Sequence, residues 1–484
     1  MKKKFTERNG LSLPEVGRQM LKVWEEEDLF HKSIDEREGC PQFVFFEGPP
    51  SANGHPGIHH VLARSLKDTF CRYQTMNGKQ VMRKAGWDTH GLPVELGVEK
   101  ELGITKEDIG KTISIEEYNK RCRLNVMKYT GEWTDLSEKM GYWVDMEHPY
   151  ITYDNKYIET LWWLLKQLYQ KGLLYKGYTI QPYSPAAGTG LSSHELNQPG
   201  CYRDVKDTTV TAQFKVTDKV PFDTKGKEVY ALAWTTTPWT LPSNTALCVG
   251  PKIEYVALQG KNAYSGEEAI YILAAARVAA NFPAIKNEDG TETGPEIIWQ
   301  GMGTDLVGLH YRQLMPWIKP CDLQDNQVVD RSEDAFRIIP GDYVTTEDGT
   351  GIVHIAPTFG ADDAKVARDA GIPSLFVIDK AGDTRPMVDF QGKYFVREDM
   401  RPDFVEACVC EGYWKHSGAY VKNAYDPKYN QNGKYDEKAA AKEMDLNVIM
   451  AIEMNEEGTA FRIEKHVHNY PHCWRTDKPI LYYP

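Results

Sequence analysis

Residues 43–60 read FVFFEGPPSANGHPGIHH, and this stretch decides the fold of the N-terminal part of the chain. Its first four residues form a wholly apolar run, which is typical of a strand buried on both faces of a parallel sheet. A loop rich in Gly and Pro ends the run, and apolar residues at helical spacing follow from Ile58 to Met76. The order strand, loop, helix predicts a doubly wound α/β nucleotide fold, with the ligand at the carboxyl end of the strand.

A second strand is predicted near residues 80–83, and it runs into the loop GWDTHGLPVE at residues 86–95. Further along, residues 156–170 predict a helix with Trp162 and Trp163 at its centre. A tryptophan pair in such a helix is expected in the core rather than at a ligand site.

The pattern changes near Tyr202, where residues 208–214 alternate at period two as half-buried strands do. Short strands are also predicted at residues 229–234, 255–258 and 268–273. We therefore expect a Rossmann-like half at residues 1–201, an inserted β-rich domain at 202–392, and a segment returning toward the first fold at 393–484. Residues 422–445 are polar and are interpreted as an insertion.

Composition excludes several classes of protein. The net charge of -12 argues against a general nucleic-acid coat protein, although a basic groove can lie on an acidic protein. The basic start at Met1 has no apolar core behind it, and no apolar run approaches the roughly 18 residues of a membrane span. Nine scattered cysteines are typical of reduced thiols, so a cytoplasmic protein away from membranes is expected.

The loop at residues 48–60 combines glycines and histidines at the start of a helix. Glycine lets a phosphate approach the backbone, the helix N-terminus supplies unpaired N–H groups, and histidine can donate to phosphate oxygens. Taken alone, the loop is better explained as a Gly/Pro turn with surface histidines.

The same residues resemble the HIGH signature of class I aminoacyl-tRNA synthetases, in the long form of those specific for isoleucine. The HIGH tetrad falls on residues 57–60, where only Ile58 and His60 match the pattern. The resemblance implies ATP binding by Asn53, Gly57, His59 and His60. His60 is expected to contact phosphate during catalysis, and His59 to supply the imidazole that Gly57 lacks; His55 is a weaker candidate.

The loop at residues 86–95 also resembles this family. A lone Asp at such a place is most often a helix cap. The resemblance instead implies that Asp88 binds the α-ammonium of isoleucine, for which a carboxylate is the natural counter-charge. Gly48 and Pro49 would form the wall around the amino-acid side chain.

Two later stretches carry a second group of candidates, WTTTPWTLPSN at residues 234–244 and EDGTGIVHIAPTFGADD at residues 347–363. The first predicts a strand ending at a proline turn, with a row of hydroxyls able to bind a ribose and a water. The second predicts a turn, an apolar strand and a loop that opens a helix. A strand-end His354 and an acidic Asp363 near a helix start also have ordinary structural explanations.

Both stretches closely resemble the editing domain of the synthetases for isoleucine, valine and leucine. Pro238-Trp239 follows the threonines where the valine and leucine enzymes carry Arg-Pro, which favours the isoleucine type. The resemblance implies that Asp363 binds the ammonium of a misattached amino acid, and that His354 excludes an isoleucyl group. Substrate and water would be positioned by the threonines, and the pocket lined by a tryptophan: Thr235, Thr236, Thr237 and Trp239.

Zinc sites of this family use two Cys-x-x-Cys pairs, and here they fall on SPAA at 184–187 and CWRT at 473–476. Only Cys473 remains, so the sequence argues against zinc and no metal ligands are assigned. His466, His468 and His472 lie near it in sequence but lack a second ligand pair.

The resemblance implies an isoleucine–tRNA ligase that also hydrolyses mischarged Val-tRNA. It implies ATP and Mg²⁺ as cofactors and the isoleucine tRNA and L-isoleucine as substrates. The protein is expected to be a monomer. The KMSKS signature is absent from these residues, so we expect a partial chain that is incompetent for amino-acid activation. Three alternatives stay open: an editing-only hydrolase, a non-catalytic tRNA-binding fragment, and a synthetase of the valine or leucine type.

Overall fold

The computed structural model describes residues 10, 12–177, 179–286, 292–430 and 435–484. The chain divides into two compact units, Met1–Lys176 and Gly177–Pro484. The three-part division predicted above, with boundaries at 201 and 392, stays a prediction. Within the described ranges, every helix is too short or too polar to traverse a bilayer.

The first unit is an α/β layer built on three parallel strands in the order β1-β2-β3. These strands are β1 (Gln42–Phe46), β2 (Gln80–Trp87) and β3 (Asp145–Ile151). The helices are α1 (Leu13–Glu26), α2 (Leu29–Asp35), α3 (Ile58–Met76), α4 (Leu92–Leu102), α5 (Ile115–Val126), α6 (Thr130–Lys139) and α7 (Asn155–Gln170). Helix α3 connects the parallel pair β1 and β2, which confirms the predicted strand, loop and helix.

The prediction that β1 is buried on both faces is wrong. Val44 and Phe46 are 54% and 60% exposed, so the face of β1 on which they lie is not buried. The core assignment of the tryptophan pair is also wrong, since Trp162 and Trp163 on α7 are 67% and 60% exposed. An apolar pattern predicts which residues can be buried, and the neighbours decide which are.

The second unit is built on a six-stranded sheet in the order β13-β9-β10-β7-β6-β20. In chain order its strands begin with β4 (Gln181–Ser184), β5 (Thr189–Gly190), β6 (Tyr202–Lys215), β7 (Val229–Thr235), β8 (Ala246–Val249), β9 (Glu254–Lys261), β10 (Glu268–Ala274), β11 (Ile285–Lys286), β12 (Glu292–Thr293) and β13 (Ile297–Met302). They continue with β14 (Cys321–Gln324), β15 (Gln327–Asp330), β16 (Arg337–Pro340), β17 (Ile352–Ile355), β18 (Val377–Ile378), β19 (Thr384–Arg385), β20 (Ala460–Pro471) and β21 (Leu481–Tyr483). The predicted β-rich character from Tyr202 onward is confirmed.

The helices of this unit are α8 (Ser193–Leu196), α9 (Val278–Asn281), α10 (Ala361–Asp369), α11 (Pro402–Cys408), α12 (Glu437–Ala440) and α13 (Leu446–Glu456). The main core lies between the large sheet and the elements around the small sheet β16-β8-β17. In the small sheet, β17 runs antiparallel to β8 and places His354 opposite Leu247. The predicted insertion at 422–445 holds short helical turns and α12, with residues 431–434 outside the described residues.

Candidate functional site

The N-terminus of α3 in the first unit is organised by His60. Its Nδ1 accepts the N–H of Gly57, the residue before the helix, at 2.9 Å. A neutral imidazole that accepts at Nδ1 carries its proton on Nε2. Burial, followed by the positive charges of His59 and Arg64, lowers the pKa of His60, so the neutral ring is the form present near pH 7. His60 is therefore a neutral donor through Nε2.

Gly57 leaves room for the ring of His59. A Cβ built on Gly57 would lie only 2.8 Å from a ring carbon of His59, so this ring occupies the space that a side chain at position 57 would take. The ring also lies close to that of His60, with 3.8 Å between their centroids. The two imidazoles are thus adjacent at the helix start, beside a residue without a side chain.

The loops after β1 and β2 meet at the carboxyl end of the sheet. The N–H of Asp88 donates to the carbonyl of Pro50 at 3.0 Å, and the half-buried Asp88 carboxylate accepts the N–H of His90 at 3.3 Å. The side-chain amide of Asn53 donates to the carbonyl of Pro93 at 3.2 Å. These bonds bring together the two loops that carry Gly48, Pro49 and Asp88.

Sequence reasoning missed Trp133 and Glu47. The Trp133 indole N–H donates to the carbonyl of Gly54 at 2.9 Å, and its ring lies 4.6 Å from that of His60. Glu47 is 3% exposed and bonds both Lys67 and Tyr142. Glu47 could have been identified from the sequence, because an acidic residue directly after an apolar strand is unusual. Trp133 lies too far along the chain for any local pattern to link it to the loop.

In the second unit, the two predicted editing stretches line one cavity of about 370 Å³. The residues around it are Trp234, Thr235, Thr236, Tyr343, Thr345, Asp348, Gly349, Thr350, Gly351, Ile352, Val353, His354 and Asp363. The cavity is therefore formed where the end of β7 faces β17 and the start of α10.

A tight turn leads into β17 at Gly351. This residue has φ +75°, and a Cβ there would lie 2.4 Å from the Cβ of Ala274 on β10. Glycine meets both requirements, since it has no side chain and adopts positive φ without strain. The close approach fixes β17 beside the large sheet and holds His354 on the cavity wall.

Asp363 lies in the first turn of α10, where its carboxylate accepts the N–H of Ala356 at 2.9 Å. Burial raises the pKa of Asp363 to about 6, and the Ala356 hydrogen bond opposes this while the charge of Asp362 adds to it. The helix N-terminus favours the ionised form. The carboxylate is thus held in a fixed place with its charge incompletely compensated, as a site for a cation requires.

Hydroxyl groups connect His354 to the threonine stretch. The Thr235 and Thr237 hydroxyl oxygens are 3.3 Å apart, and that of Thr237 is 3.3 Å from that of Thr240. The Thr240 hydroxyl lies 3.2 Å from His354 Nε2. Burial lowers the pKa of His354 to about 4, so the ring is neutral near pH 7. Sequence reasoning did not single out Thr240.

Trp239 is not among the residues that line the cavity. It is 3% exposed, and its ring packs edge-on against Phe359 with 4.9 Å between the centroids. Its backbone is fixed on both sides, by Asn447 Oδ1 at 3.2 Å from its N–H and by the Tyr394 hydroxyl at 2.6 Å from its carbonyl. Trp239 supports the turn that carries the hydroxyl row.

Metal-ligating side chains do not cluster in the part of the chain that the structure describes: three or more His, Cys, Asp or Glu residues suited to an ion are not found together there. Cys473 is fully buried, and its N–H donates to the carbonyl of Lys478 at 2.8 Å. The residues present therefore do not form a four-ligand zinc site within those ranges.

Residues 19–424 match the family described as tRNA synthetases class I (I, L, M and V). The isoleucine–tRNA ligase of Bacteroides thetaiotaomicron is 63% identical over all of this chain and 42% of its own length. That of Porphyromonas gingivalis is 58% identical, over 100% of this chain and 42% of its own. The chain thus spans about two fifths of the length of these curated relatives.

Among solved structures, the ternary complex of Agrobacterium radiobacter K84 agnB2 LeuRS with tRNA and LeuAMS is 17% identical. The match covers 73% of this chain and 43% of that one, with a TM-score of 0.30. The P. knowlesi cytosolic leucyl-tRNA synthetase editing domain is also 17% identical, over 34% of this chain and 62% of that one, with a TM-score of 0.25. The match over residues 19–424 establishes the family: this chain belongs to the class I tRNA synthetases of the isoleucine, leucine, methionine and valine group.

Proposed function

We propose that the cavity of the second unit hydrolyses the ester of a misattached amino acid on tRNA, and that the chain is part of an isoleucine–tRNA ligase. One observation carries the editing proposal. A held carboxylate, Asp363, and a row of threonine hydroxyls, Thr235 and Thr236, line the same cavity. The relatives that bear the name isoleucine–tRNA ligase, at up to 63% identity, support the wider assignment.

In this proposal Asp363 binds the α-ammonium of the amino acid. Its carboxylate is ionised above a pKa of about 6, and the incoming ammonium favours that form further. The threonine hydroxyls bind the ribose and place the attacking water, since each hydroxyl can both donate and accept. The reaction then depends on positioning, which can supply a large part of a hydrolytic rate enhancement.

His354 and the cavity size select the substrate. An imidazole on the wall limits how large an amino-acid side chain can enter. A synthetic site distinguishes isoleucine from valine by one methylene, which is worth only about 1–3 kcal/mol; this pair is the established example of that limit. A second, smaller hydrolytic site that admits valine removes the error.

The first unit would supply half of the site for ATP and isoleucine. The N–H groups at the start of α3 and the Nε2–H of His60 form a donor set that fits a phosphate. The ring of His59 lies in the space of a residue 57 side chain, which supports its role as a substitute for the missing histidine. Asn53 would contribute to the ATP site, and Mg²⁺ would accompany ATP and offset phosphate charge.

The amino acid would lie at the junction of the two loops. Asp88 supplies a half-buried carboxylate for its α-ammonium, while Gly48 and Pro49 form the wall beside it. The hydrogen bond between Asp88 and Pro50 supports this arrangement because it joins the two loops. The tRNA for isoleucine is the proposed acceptor of the activated amino acid.

Two assays on the same chain test the proposal. ATP–pyrophosphate exchange with isoleucine reports the first unit, and deacylation of Val-tRNA reports the second. We expect the chain to deacylate Val-tRNA and to hydrolyse Ile-tRNA only slowly. Unimpaired deacylation by an Asp363→Ala variant would refute the editing assignment. Equal deacylation of Ile-tRNA, with leucyl-tRNA left intact, would support a leucine-type editing site instead.

A further inference from the structure

Two cysteines that are far apart in the sequence lie side by side in the core of the second unit. Cys321 begins β14, and Cys408 ends α11. The N–H of Lys319 donates to the carbonyl of Cys408 at 2.9 Å, and Ile318 forms an antiparallel bridge with Val409. The thiols of Cys321 and Cys408 are hydrogen-bonded to each other. The fold thus builds a dithiol from two segments that no sequence spacing links.

The contact makes the two thiols unequal. The hydrogen bond with Cys321 lowers the pKa of the Cys408 thiol, although burial opposes this change. The same hydrogen bond, followed by burial, raises the pKa of Cys321. Thiols coupled in this way titrate as a pair, and the thiolate is the nucleophile of thiol chemistry. Cys408 is therefore the thiol that reacts first, with Cys321 beside it to react second.

We propose that Cys321 and Cys408 form a modification site for a small peroxide, at which oxidation closes a reversible disulfide between β14 and the end of α11. Because Cys321 is 2% exposed and Cys408 is 5% exposed, the oxidant has to be as small as hydrogen peroxide. Cys408 ends a helix, and helix ends open locally more readily than central strands. This site is independent of the editing function proposed above.

The oxidation takes two steps and one molecule of hydrogen peroxide. The Cys408 thiolate attacks one peroxide oxygen, the O–O bond breaks, and hydroxide leaves, which gives a sulfenic acid at Cys408. The Cys321 sulfur then attacks the Cys408 sulfur, the S–O bond breaks, and the oxygen leaves as water. The two sulfurs lose two electrons to the peroxide, and the two thiol protons end in two waters. A thiol reductant reverses the reaction by exchange.

Mass spectrometry after peroxide treatment tests the site. The folded chain is treated with hydrogen peroxide, and the remaining free thiols are blocked in denaturant before digestion. We expect a peptide that joins Cys321 to Cys408, absent without peroxide and lost after reduction with dithiothreitol. Free Cys408 should disappear at least roughly tenfold faster than free Cys248, a fully buried cysteine whose pKa burial raises to about 12.

Three serine variants assign the order of the steps. Cys321→Ser removes the second thiol, so peroxide should leave Cys408 as a sulfenic acid that a 1,3-diketone traps. Cys408→Ser removes the nucleophile, so Cys321 should stay reduced over the same time. Cys248→Ser is the matched control, and it should form the Cys321–Cys408 peptide at the wild-type rate.

Cys410 provides the sharpest alternative, because it lies two residues after Cys408 and is more exposed. A main product that joins Cys408 to Cys410 would overturn the proposal, as would equal rates of oxidation at Cys408 and Cys248. Circular dichroism during the treatment reports whether the chain stays folded. Cysteines 321 and 408 that both remain free in the folded chain, or that join only after it unfolds, would also overturn the proposal.

Discussion

His60 and His354 both have a lowered pKa and are neutral near pH 7, yet they lie in opposite surroundings. His60 lies at the open start of α3, a helix whose apolar stripe is exposed, as at Leu62 (65%) and Phe70 (66%). His354 is buried on the wall of a cavity of about 370 Å³, in a unit whose main core is continuous. The described residues that line the proposed editing site thus all lie in the second unit, whereas the proposed nucleotide half-site lies on a helix with an exposed apolar stripe.

The largest effect is expected from removing the charge of Asp363. Asp363→Asn keeps the size and the acceptor for the Ala356 N–H, but the ammonium of the substrate loses its counter-charge. Loss of one partner of a buried charge pair costs about 2–5 kcal/mol, so Val-tRNA deacylation should fall on the order of 10²-fold or more. Steady-state deacylation rates measure it.

Asp362→Asn is the matched control, since the neighbouring carboxylate is exposed and lies outside the cavity lining. It should deacylate at the wild-type rate. Equal losses in the two variants would mean that the charge of the α10 start, rather than a specific contact, supports the reaction, and the contrast between the two units would lose its main support.

Leucine-to-alanine substitutions should lower the free energy of unfolding by different amounts in the two units. Leu258 on β9 is fully buried, and Leu66 on α3 is 56% exposed. Leu258→Ala should destabilise the second unit by about 3 kcal/mol, as cavity-forming core substitutions do. Leu66→Ala should change stability by less than about 0.5 kcal/mol. Hydrogen exchange read by mass spectrometry assigns each change to its unit, and a large effect at Leu66 would show that the α3 stripe is covered in solution.

The pH dependence of editing should follow Asp363. Its pKa of about 6 means that the carboxylate becomes protonated as the pH falls through 6, so kcat/KM for Val-tRNA should drop about tenfold per pH unit below that point. His354, with a pKa of about 4, stays neutral over this range. Asp348 and Tyr343 also line the cavity, so Asp348→Asn and Tyr343→Phe are needed to exclude their contribution.

The contribution of Asp363 to the free energy of unfolding should change with pH in the direction opposite to the editing rate. Because burial raises the folded-state pKa of Asp363 above its ordinary value, the folded chain favours the protonated form. That contribution is fully present below the ordinary value and is lost as the pH rises through about 6. The pH that favours editing is therefore the one at which this carboxylate opposes folding. A deacylation profile that is flat between pH 5 and 7 would contradict the assignment of Asp363.

The sequence predicted the local elements well and the contacts between them unevenly. Residues 43–60 predicted a strand, a loop and a helix, because turns and periodicity are local properties. That residues 234–236 and 348–363 line one cavity was implied by the family resemblance and not by a local pattern. Three other features depend on partners that are distant in the chain. They are the burial of each face of β1, the packing of Trp239 behind the cavity, and the hydrogen bond between Thr240 and His354. No periodicity in a single sequence carries that information.

The smallest effect is expected at Gly57. Gly57→Ala adds a Cβ where the His59 ring lies at 2.8 Å, and the ring, as the end of a side chain, can move aside at a cost of about 1 kcal/mol. If His59 contacts phosphate, ATP binding measured by calorimetry should weaken by roughly fivefold. Gly54→Ala is the control, because a Cβ there meets no described atom within 4 Å, and it should bind ATP like the wild type. Equal affinities in all three proteins would show that the His59 ring takes no part in binding ATP and leave His60 as the imidazole at the helix start, so this result would separate the two histidines that the sequence places side by side.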